Sequence, residues 1–383
     1  MHRNNLIYTF LPLVFLAACI KPYTPKIDAD VASKIVVSGK LNNNEGYQYV
    51  RLSKSVPLDE LRYQALGSCN VNIWDENDNK FSMNEYKTGE YRVWMNKASL
   101  VIGKAYHIQI FTPEGDELVS KPDIMTDVAI VKSPRFEIDS IYHGAYNNYT
   151  DGLQFYIDID GNKNQSKYYL FELDATYEHH AKYAREWYYN GRVNQIFPPD
   201  SSLMYCWTTE RVPEVITLST ENLAENKFRD FRLHFVSFRK DNLTYGYSLL
   251  VRQVGLSKEA YLYWERMRLN NNQNASLYSK QPVDTQGNIT NVTNPEKEVL
   301  GFYSASAVSE IRIFLGPQPT KPISECTPFP LEKGGFKEID KMYYPGFLMN
   351  NPLGTYFMIW LPEPCVNCSY YSGSTIKPSF WPN

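Results

Sequence analysis

Short segments of alternating apolar and polar residues, separated by polar turns, run along most of this chain and constrain its fold more than any other feature. Residues 34–41 form one such segment, the turn 42–46 follows, and residues 47–53 alternate again. The second segment places two sets of side chains on opposite sides, which are Gln48, Val50 and Leu52 against Tyr47, Tyr49 and Arg51. Strands at this spacing, without a helical period, predict a β-sandwich over residues 33–126.

A second, larger β-rich domain is predicted over residues 127–383, beyond a boundary at 122–134 that is bracketed by prolines. Further alternating segments follow this boundary, at residues 153–159, 167–173, 231–238 and 248–254. The stretch 175–211 is rich in tyrosine and charge and is interpreted as a long insertion. The chain is therefore predicted to be all-β, with two β-sandwich domains of immunoglobulin-like or transthyretin-like type.

One α-helix is predicted, at residues 257–270 of the larger domain. Ser257 is a good N-cap residue, and Glu259 lies where a negative charge favours the helix dipole. Tyr261, Trp264 and Met267 recur at helical spacing, so the helix should pack an apolar face onto a sheet.

The N-terminus has the pattern of an exported lipoprotein. Arg3 precedes an apolar run at residues 6–16, which is too short for a helix across a bilayer, and small residues lead to Cys19. This order predicts a signal peptide over residues 1–18, lipidation of Cys19 and a short tether over residues 19–32. The alternative is that Cys19 is a chance cysteine within a discarded leader. The lipid would hold the protein on a bacterial membrane. The outer membrane is implied only by the family resemblance described below, with the cell-surface and periplasmic faces both open.

Five cysteines remain after Cys19, and an oxidising envelope favours pairing among them. Cys69 lies on an apparent strand and is expected to be a buried free thiol. The other four allow three connectivities, so two disulfides are predicted without an assignment of partners, among Cys206, Cys326, Cys365 and Cys368. The Cys365-x-x-Cys368 spacing also resembles a redox or half-zinc motif, but no second such pair completes a zinc site, and a structural role in the C-terminal tail is preferred.

No motif in the sequence predicts catalysis, a metal or a cofactor. The Asp158-x-Asp160-Gly-Asn162-x-Asn164 pattern superficially resembles a calcium loop, but its glycine is misplaced and an Asp-Gly hairpin turn explains it equally well. Lys and Arg are dispersed and the net charge is -3, which disfavours nucleic acid as a partner. Exposed aromatic residues are the proposed contacts with a ligand or partner, namely Trp187, Tyr188, Tyr189, Tyr370 and Tyr371. The alternative for each of them is packing within the sandwich and its loops.

Several blocks of sequence together resemble one protein family. The blocks are Cys206-Trp207, 247–253, 256–264, 281–292, 300–304, 311–314, the Cys365-x-x-Cys368 pair and 377–381. With the lipidation motif and the early Val36-Val37-Ser38-Gly39 strand, they resemble the Bacteroidetes-type lipoproteins grouped as domain of unknown function 4249. The resemblance implies an outer-membrane lipoprotein, often encoded beside a TonB-dependent receptor, without established enzymatic activity.

The expected function is therefore that of a non-catalytic, lipid-anchored accessory protein that associates with a TonB-dependent receptor and helps to capture its ligand. A stand-alone surface protein that binds glycans or peptides is the first alternative, suggested by the thirty tyrosines. An envelope hydrolase with an unrecognised site is the second.

Overall fold

Strands dominate the molecule, which is 54% strand and 9% helical, so the all-β prediction is confirmed. The computed structural model describes residues 33–382 apart from 57–61, 145–146, 240, 274–284, 321–325, 333–334, 336–341, 343 and 352–357. The predicted signal peptide, tether and Cys19 lie outside these residues. Among the described residues, no helix is both long enough and apolar enough to cross a membrane.

The first ten strands occupy the N-terminal part of the chain. They are β1 (Ile35–Asn42), β2 (Gly46–Lys54), β3 (Gln64–Ala65), β4 (Asn70–Asp75), β5 (Lys80–Ser82), β6 (Asn84–Lys87), β7 (Glu90–Met95), β8 (Ala105–Phe111), β9 (Glu117–Ser120) and β10 (Asp123–Ile124). The next nine are β11 (Lys132–His143), β12 (Asn148–Asp160), β13 (Tyr168–His180), β14 (Arg185–Tyr189), β15 (Val193–Asp200), β16 (Tyr205–Arg211), β17 (Ile216–Ser219), β18 (Lys227–Ser237) and β19 (Gly246–Gly255).

The helix and the last six strands complete the described elements. They are α1 (Lys258–Gln273), β20 (Ile289–Asn291), β21 (Val299–Ser306), β22 (Val308–Leu315), β23 (Phe329–Leu331), β24 (Gly346–Asn350) and β25 (Met358–Leu361). Short 3₁₀ helices lie at Lys97–Ser99, Asp241–Leu243, Glu363–Cys365 and Cys368–Tyr371.

The first sandwich consists of two sheets, with strand orders β21-β1-β2-β7-β6 and β20-β9-β8-β4-β5. Two of these strands, β20 and β21, come from the later part of the chain, and β21 pairs with β1 in parallel. They bring Ile289, Val299 and Tyr303 into the core beside Val37 and Leu52. The predicted boundary 33–126 leaves these two strands out, because pairing between distant segments leaves no local signal in the sequence.

The second sandwich packs a three-stranded sheet, β11-β12-β18, against the sheet β16-β13-β19-β22. Alternate residues of β12 and β13, such as Phe155, Ile157 and Phe171, point into its core. The interpretation of 175–211 as an insertion is partly wrong, because β13 extends to His180 and β16 pairs with it over seven residue pairs. Only β14 and β15 leave the sandwich, and they join a third sheet with the order β15-β14-β24-β25-β23.

The helix α1 lies between the two sandwiches. The amide N–H of Ala260 donates to the Ser257 hydroxyl at 3.2 Å, which confirms Ser257 as the N-cap. Ala260 is buried in a cluster with Leu170 and Leu256 of the second sandwich. On the other side the Tyr263 ring meets Phe302 of β21, with centroids 5.1 Å apart. The helix therefore joins the two sandwiches as well as covering a sheet.

Two disulfides fix the C-terminal tail. The predicted cysteines pair as Cys206–Cys368 and Cys326–Cys365. Cys69 is free and half-buried at the edge of the first core, and burial raises the pKa of its thiol. The tail then runs back across the second sandwich, where the indole N–H of Trp381 donates to Glu178 at 3.1 Å.

Candidate binding face on the first sandwich

The predicted contact residues lie in two different environments. Trp187 and Tyr189 pack against a cluster formed by the third sheet, whereas Tyr188 is half-buried on the same strand. Tyr370 is 51% exposed in a 3₁₀ helix beside Cys368. The side chain of Tyr371 is outside the part of the molecule that the structure describes. The side chains of Trp187 and Tyr189 thus contribute to the packing of the third sheet, and Tyr370 lies outside their cluster.

A larger set of exposed aromatic rings lies on the outer side of the first sandwich. Trp94 is 58% exposed, Tyr49 47% and Tyr47 43%. The register of β2 with β7 places Tyr47 beside Trp94 and Tyr49 beside Arg92, while the intervening residues point into the core. We call this surface the aromatic face and define it by eight residues, namely Tyr47, Tyr49, Arg51, Tyr86, Lys87, Glu90, Arg92 and Trp94.

The aromatic rings of this face form one continuous row. The ring centroids of Trp94 and Tyr47 are 5.1 Å apart, those of Tyr47 and Tyr49 6.3 Å, and those of Tyr49 and Tyr86 5.8 Å. The guanidinium of Arg92 lies 4.4 Å from the centre of the Tyr47 ring and 4.6 Å from that of Tyr86. Such cation–π contacts hold the rings and the guanidinium in a fixed arrangement.

Positive charge exceeds negative charge on the aromatic face. Its single carboxylate, Glu90, pairs with Arg51 at 3.2 Å and with Lys87 at 4.0 Å. The Tyr86 hydroxyl also donates to Glu90 at 2.5 Å, and this hydrogen bond lowers the pKa of the Glu90 carboxyl. Within the described part of the chain, Arg92 forms no ion pair and interacts with its two tyrosine rings alone.

The aromatic face borders an ionic contact between the two sandwiches. Lys40 of β1 is paired with Tyr49 of β2, and its ammonium group donates to Glu172 of the second sandwich at 2.5 Å. Arg211 donates to the other oxygen of Glu172 at 2.7 Å. Burial of Glu172 opposes its ionisation, but the charges of Lys40 and Arg211 outweigh it and lower the pKa of the carboxyl. Charged groups therefore contribute to the contact between the two sandwiches beside the aromatic face.

A second aromatic cluster lies on the second sandwich, where the tail crosses it. The His180 ring stacks on Tyr245, with centroids 3.7 Å apart, and its Nε2 lies 2.7 Å from Glu178. Glu178 also accepts the Trp381 hydrogen bond. His179 points elsewhere, with its Nε2 2.9 Å from the carbonyl oxygen of Cys368. His179 therefore contacts the tail directly, whereas His180 is linked to it through Glu178.

The acidic residues of the calcium-like pattern face arginine side chains. Asp158 lies 3.3 Å from Arg229 and 3.5 Å from Arg135, and it accepts the backbone N–H of Asp230. Among the described residues there is no group of three or more metal-ligating side chains. The Asp158 carboxylate thus serves as a partner for guanidinium groups.

One half of the aromatic face was visible in the sequence, because the alternation of residues 47–53 puts Tyr47, Tyr49 and Arg51 on one side. The other half was missed. Trp94 follows a segment that carries only a short strand signal, and nothing local shows that β7 will pair beside β2. The proximity of Tyr47 and Trp94 depends on this register, which sequence alone does not supply.

Comparison with known proteins gives a family without a known activity. Residues 20–312 match the family described as a domain of unknown function, DUF4249. The matched range covers well over half of the 383 residues and includes the whole aromatic face. No curated protein matches the chain. The chain belongs to the DUF4249 family, as its sequence blocks had indicated.

Proposed function

We propose that this protein is a non-catalytic, lipid-anchored binding protein of the bacterial outer membrane that captures a ligand on its aromatic face. The observation that carries the proposal is the exposure of Tyr47, Tyr49 and Trp94 in one row. Large aromatic side chains usually lie in the core, and a contiguous exposed set is typical of a binding surface.

The anchor and the partner complete this proposal. The Arg3, apolar and small-residue order before Cys19 supports export and acylation, and several acyl chains would hold the protein permanently on a bilayer. The resemblance to lipoproteins encoded beside TonB-dependent receptors supports such a receptor as the partner. The aromatic face would then hold the ligand near the mouth of the receptor and raise its local concentration there.

The test of this proposal is a pull-down from the native membrane. The tagged chain is extracted with detergent and its partners are identified by mass spectrometry. Recovery of a TonB-dependent receptor is expected, whereas recovery of no β-barrel receptor would reject the partnership. The Cys19→Ala variant is the control for the anchor and should leave the membrane fraction. Digestion of intact cells with an added protease then shows whether the domain lies on the cell surface.

A stand-alone surface protein that binds a glycan or peptide is the second candidate, favoured by the same aromatic face. The two functions differ in their need for the receptor. Deleting the receptor gene should abolish uptake of the ligand under the first proposal. Under the second, no receptor is recovered in the pull-down, although cells that carry Trp94→Ala lose surface binding of the ligand.

A further inference from the structure

We infer that the aromatic face binds an acidic polysaccharide in which charged and neutral sugars are mixed. Pyranose rings would stack on Trp94, Tyr47 and Tyr49, and a sugar carboxylate would meet the guanidinium of Arg92. This inference rests on the proposed capture function and names the class of ligand that is captured.

The shape of the face matches a chain of saturated rings. One side of a pyranose ring presents mainly C–H groups, which pack against the electron-rich face of an aromatic ring. The ring pairs along the row are tilted by 88° between Trp94 and Tyr47, 49° between Tyr47 and Tyr49, and 70° between Tyr49 and Tyr86. Successive sugars in a polysaccharide are also rotated relative to one another, whereas stacked bases lie nearly parallel.

The charge of the face selects an anionic ligand. The aromatic face contains three cationic side chains, Arg51, Lys87 and Arg92, and one carboxylate, Glu90. Its net charge is therefore +2 (three positive, one negative), whereas the net charge of the whole chain is -3. Arg51 and Lys87 already share Glu90, which leaves Arg92 as the cation available to a ligand. A guanidinium binds a carboxylate well, through two parallel hydrogen bonds.

The ratio of rings to available cations favours a sparsely charged polymer over a nucleic acid. Proteins that bind single-stranded nucleic acid combine stacked aromatic side chains with cations that follow every phosphate. Here four rings accompany one cation without an ion pair in the described part of the molecule. A polysaccharide with a uronate on alternate sugars has one charge for every two rings and is closer to that ratio than a nucleic acid, which has a phosphate on every nucleotide. Hyaluronan is a purified probe with this pattern.

The experiment titrates the purified chain with hyaluronan by calorimetry, with neutral dextran, dextran sulfate and single-stranded DNA as comparison polymers. Hyaluronan should bind most tightly. Trp94→Ala should raise its Kd by about tenfold, because an indole contact is lost. Arg92→Gln should weaken binding mainly at low salt, because high salt screens the charge. The matched control is Tyr149→Ala, which removes a ring that is 63% exposed on the second sandwich and should leave the Kd unchanged.

Thermal unfolding of each variant confirms that the protein still folds, and Tyr49→Ala serves as a second variant of the face. The inference is overturned if hyaluronan does not bind, if neither aromatic variant weakens binding, or if dextran sulfate or DNA binds as tightly. These outcomes are separate from those of the membrane pull-down. If a receptor is recovered in the pull-down but hyaluronan does not bind, the proposed capture function is supported and only the inferred class of ligand is rejected.

Discussion

Gly301 occupies a position in β21 that no other residue fits. Its φ of +104° is in the range that favours glycine. A Cβ at this position would lie 1.9 Å from the carbonyl oxygen of Val37, on the neighbouring strand β1. The missing side chain therefore allows the parallel pair β1–β21 to form, and with it the closing edge of the first sandwich.

Replacing Gly301 with alanine should lower the free energy of unfolding by about 3 kcal/mol or more, because β1 and β21 must move apart as well as accept a strained φ. Urea denaturation followed by fluorescence measures the loss. Gly103→Ala is the matched control, since Gly103 has a similar φ of +92° with nothing within 4 Å of the added Cβ. Its loss should be only about 1 kcal/mol, and equal losses would contradict the steric argument.

Glu172 gives the stability of the molecule a defined dependence on pH. Its pKa is lower in the fold than in the unfolded chain, because Lys40 and Arg211 outweigh the effect of burial. Such a carboxyl stabilises the fold above its unfolded pKa, and this contribution disappears as the pH falls through the folded pKa. Glu172→Gln should therefore cost about 3 kcal/mol at neutral pH, and the difference from the natural chain should shrink in acid.

The control for this prediction removes both charges of the contact. Replacing Lys40 and Glu172 together with methionine leaves no unpaired buried ammonium, so the double variant should be more stable than Glu172→Gln. Chemical denaturation at several pH values measures all three proteins. A gap between the natural chain and Glu172→Gln that stays constant from neutral to acid pH would show that the carboxylate charge is not the cause.

Among the elements, the helix α1 follows its sequence signals most closely. The expected range 257–270 compares with an observed helix at Lys258–Gln273 that begins directly after the capping Ser257. N-cap chemistry acts over three residues, so a single sequence contains all the information needed for this end. The other end continues three residues further, because asparagine is only mildly unfavourable in a helix.

Ser257→Ala should lower the free energy of unfolding by about 1 kcal/mol, because the N–H of Ala260 loses its side-chain acceptor. Thermal and urea unfolding provide the measurement. Ser257→Thr retains a hydroxyl at the same place and should recover most of the loss. An alanine variant as stable as the threonine variant would mean that the cap contributes nothing.

The strands show where sequence reasoning stops. The two sides of β2 follow from its alternation alone, and the structure buries Val50 and Leu52 as expected. For β13 the same reasoning ends too early. The polar end of this strand, with Glu178 and His180, gives an exposed pattern, but the tail held by Cys206–Cys368 packs across it. The residues that cover this end of β13 are distant in the sequence, and the periodicity of residues within β13 cannot predict such contacts.

At the scale of the whole molecule, the first sandwich is assembled from two segments that are far apart in the sequence, residues 33–126 and the strands β20 and β21. Residues 33–126 produced alone should fail to fold, because β20 and β21 supply Ile289, Val299 and Tyr303 to the core. Circular dichroism and the dispersion of the NMR spectrum would show this directly. A fusion that adds residues 285–307 behind 126 through a flexible linker is the control and should recover the fold. A folded, monomeric 33–126 fragment would contradict the shared core.

The two disulfides form only in a chain that includes its C-terminal segment, so thiol alkylation followed by gel electrophoresis can detect whether that segment is present. Cys206 and Cys326 can oxidise with their native partners only when Cys368 and Cys365 have been synthesised. A molecule that stops short of these positions keeps both thiols open to alkylation, while a finished one shields them. An incomplete molecule also leaves uncovered the surface of the second sandwich that the tail crosses at Glu178.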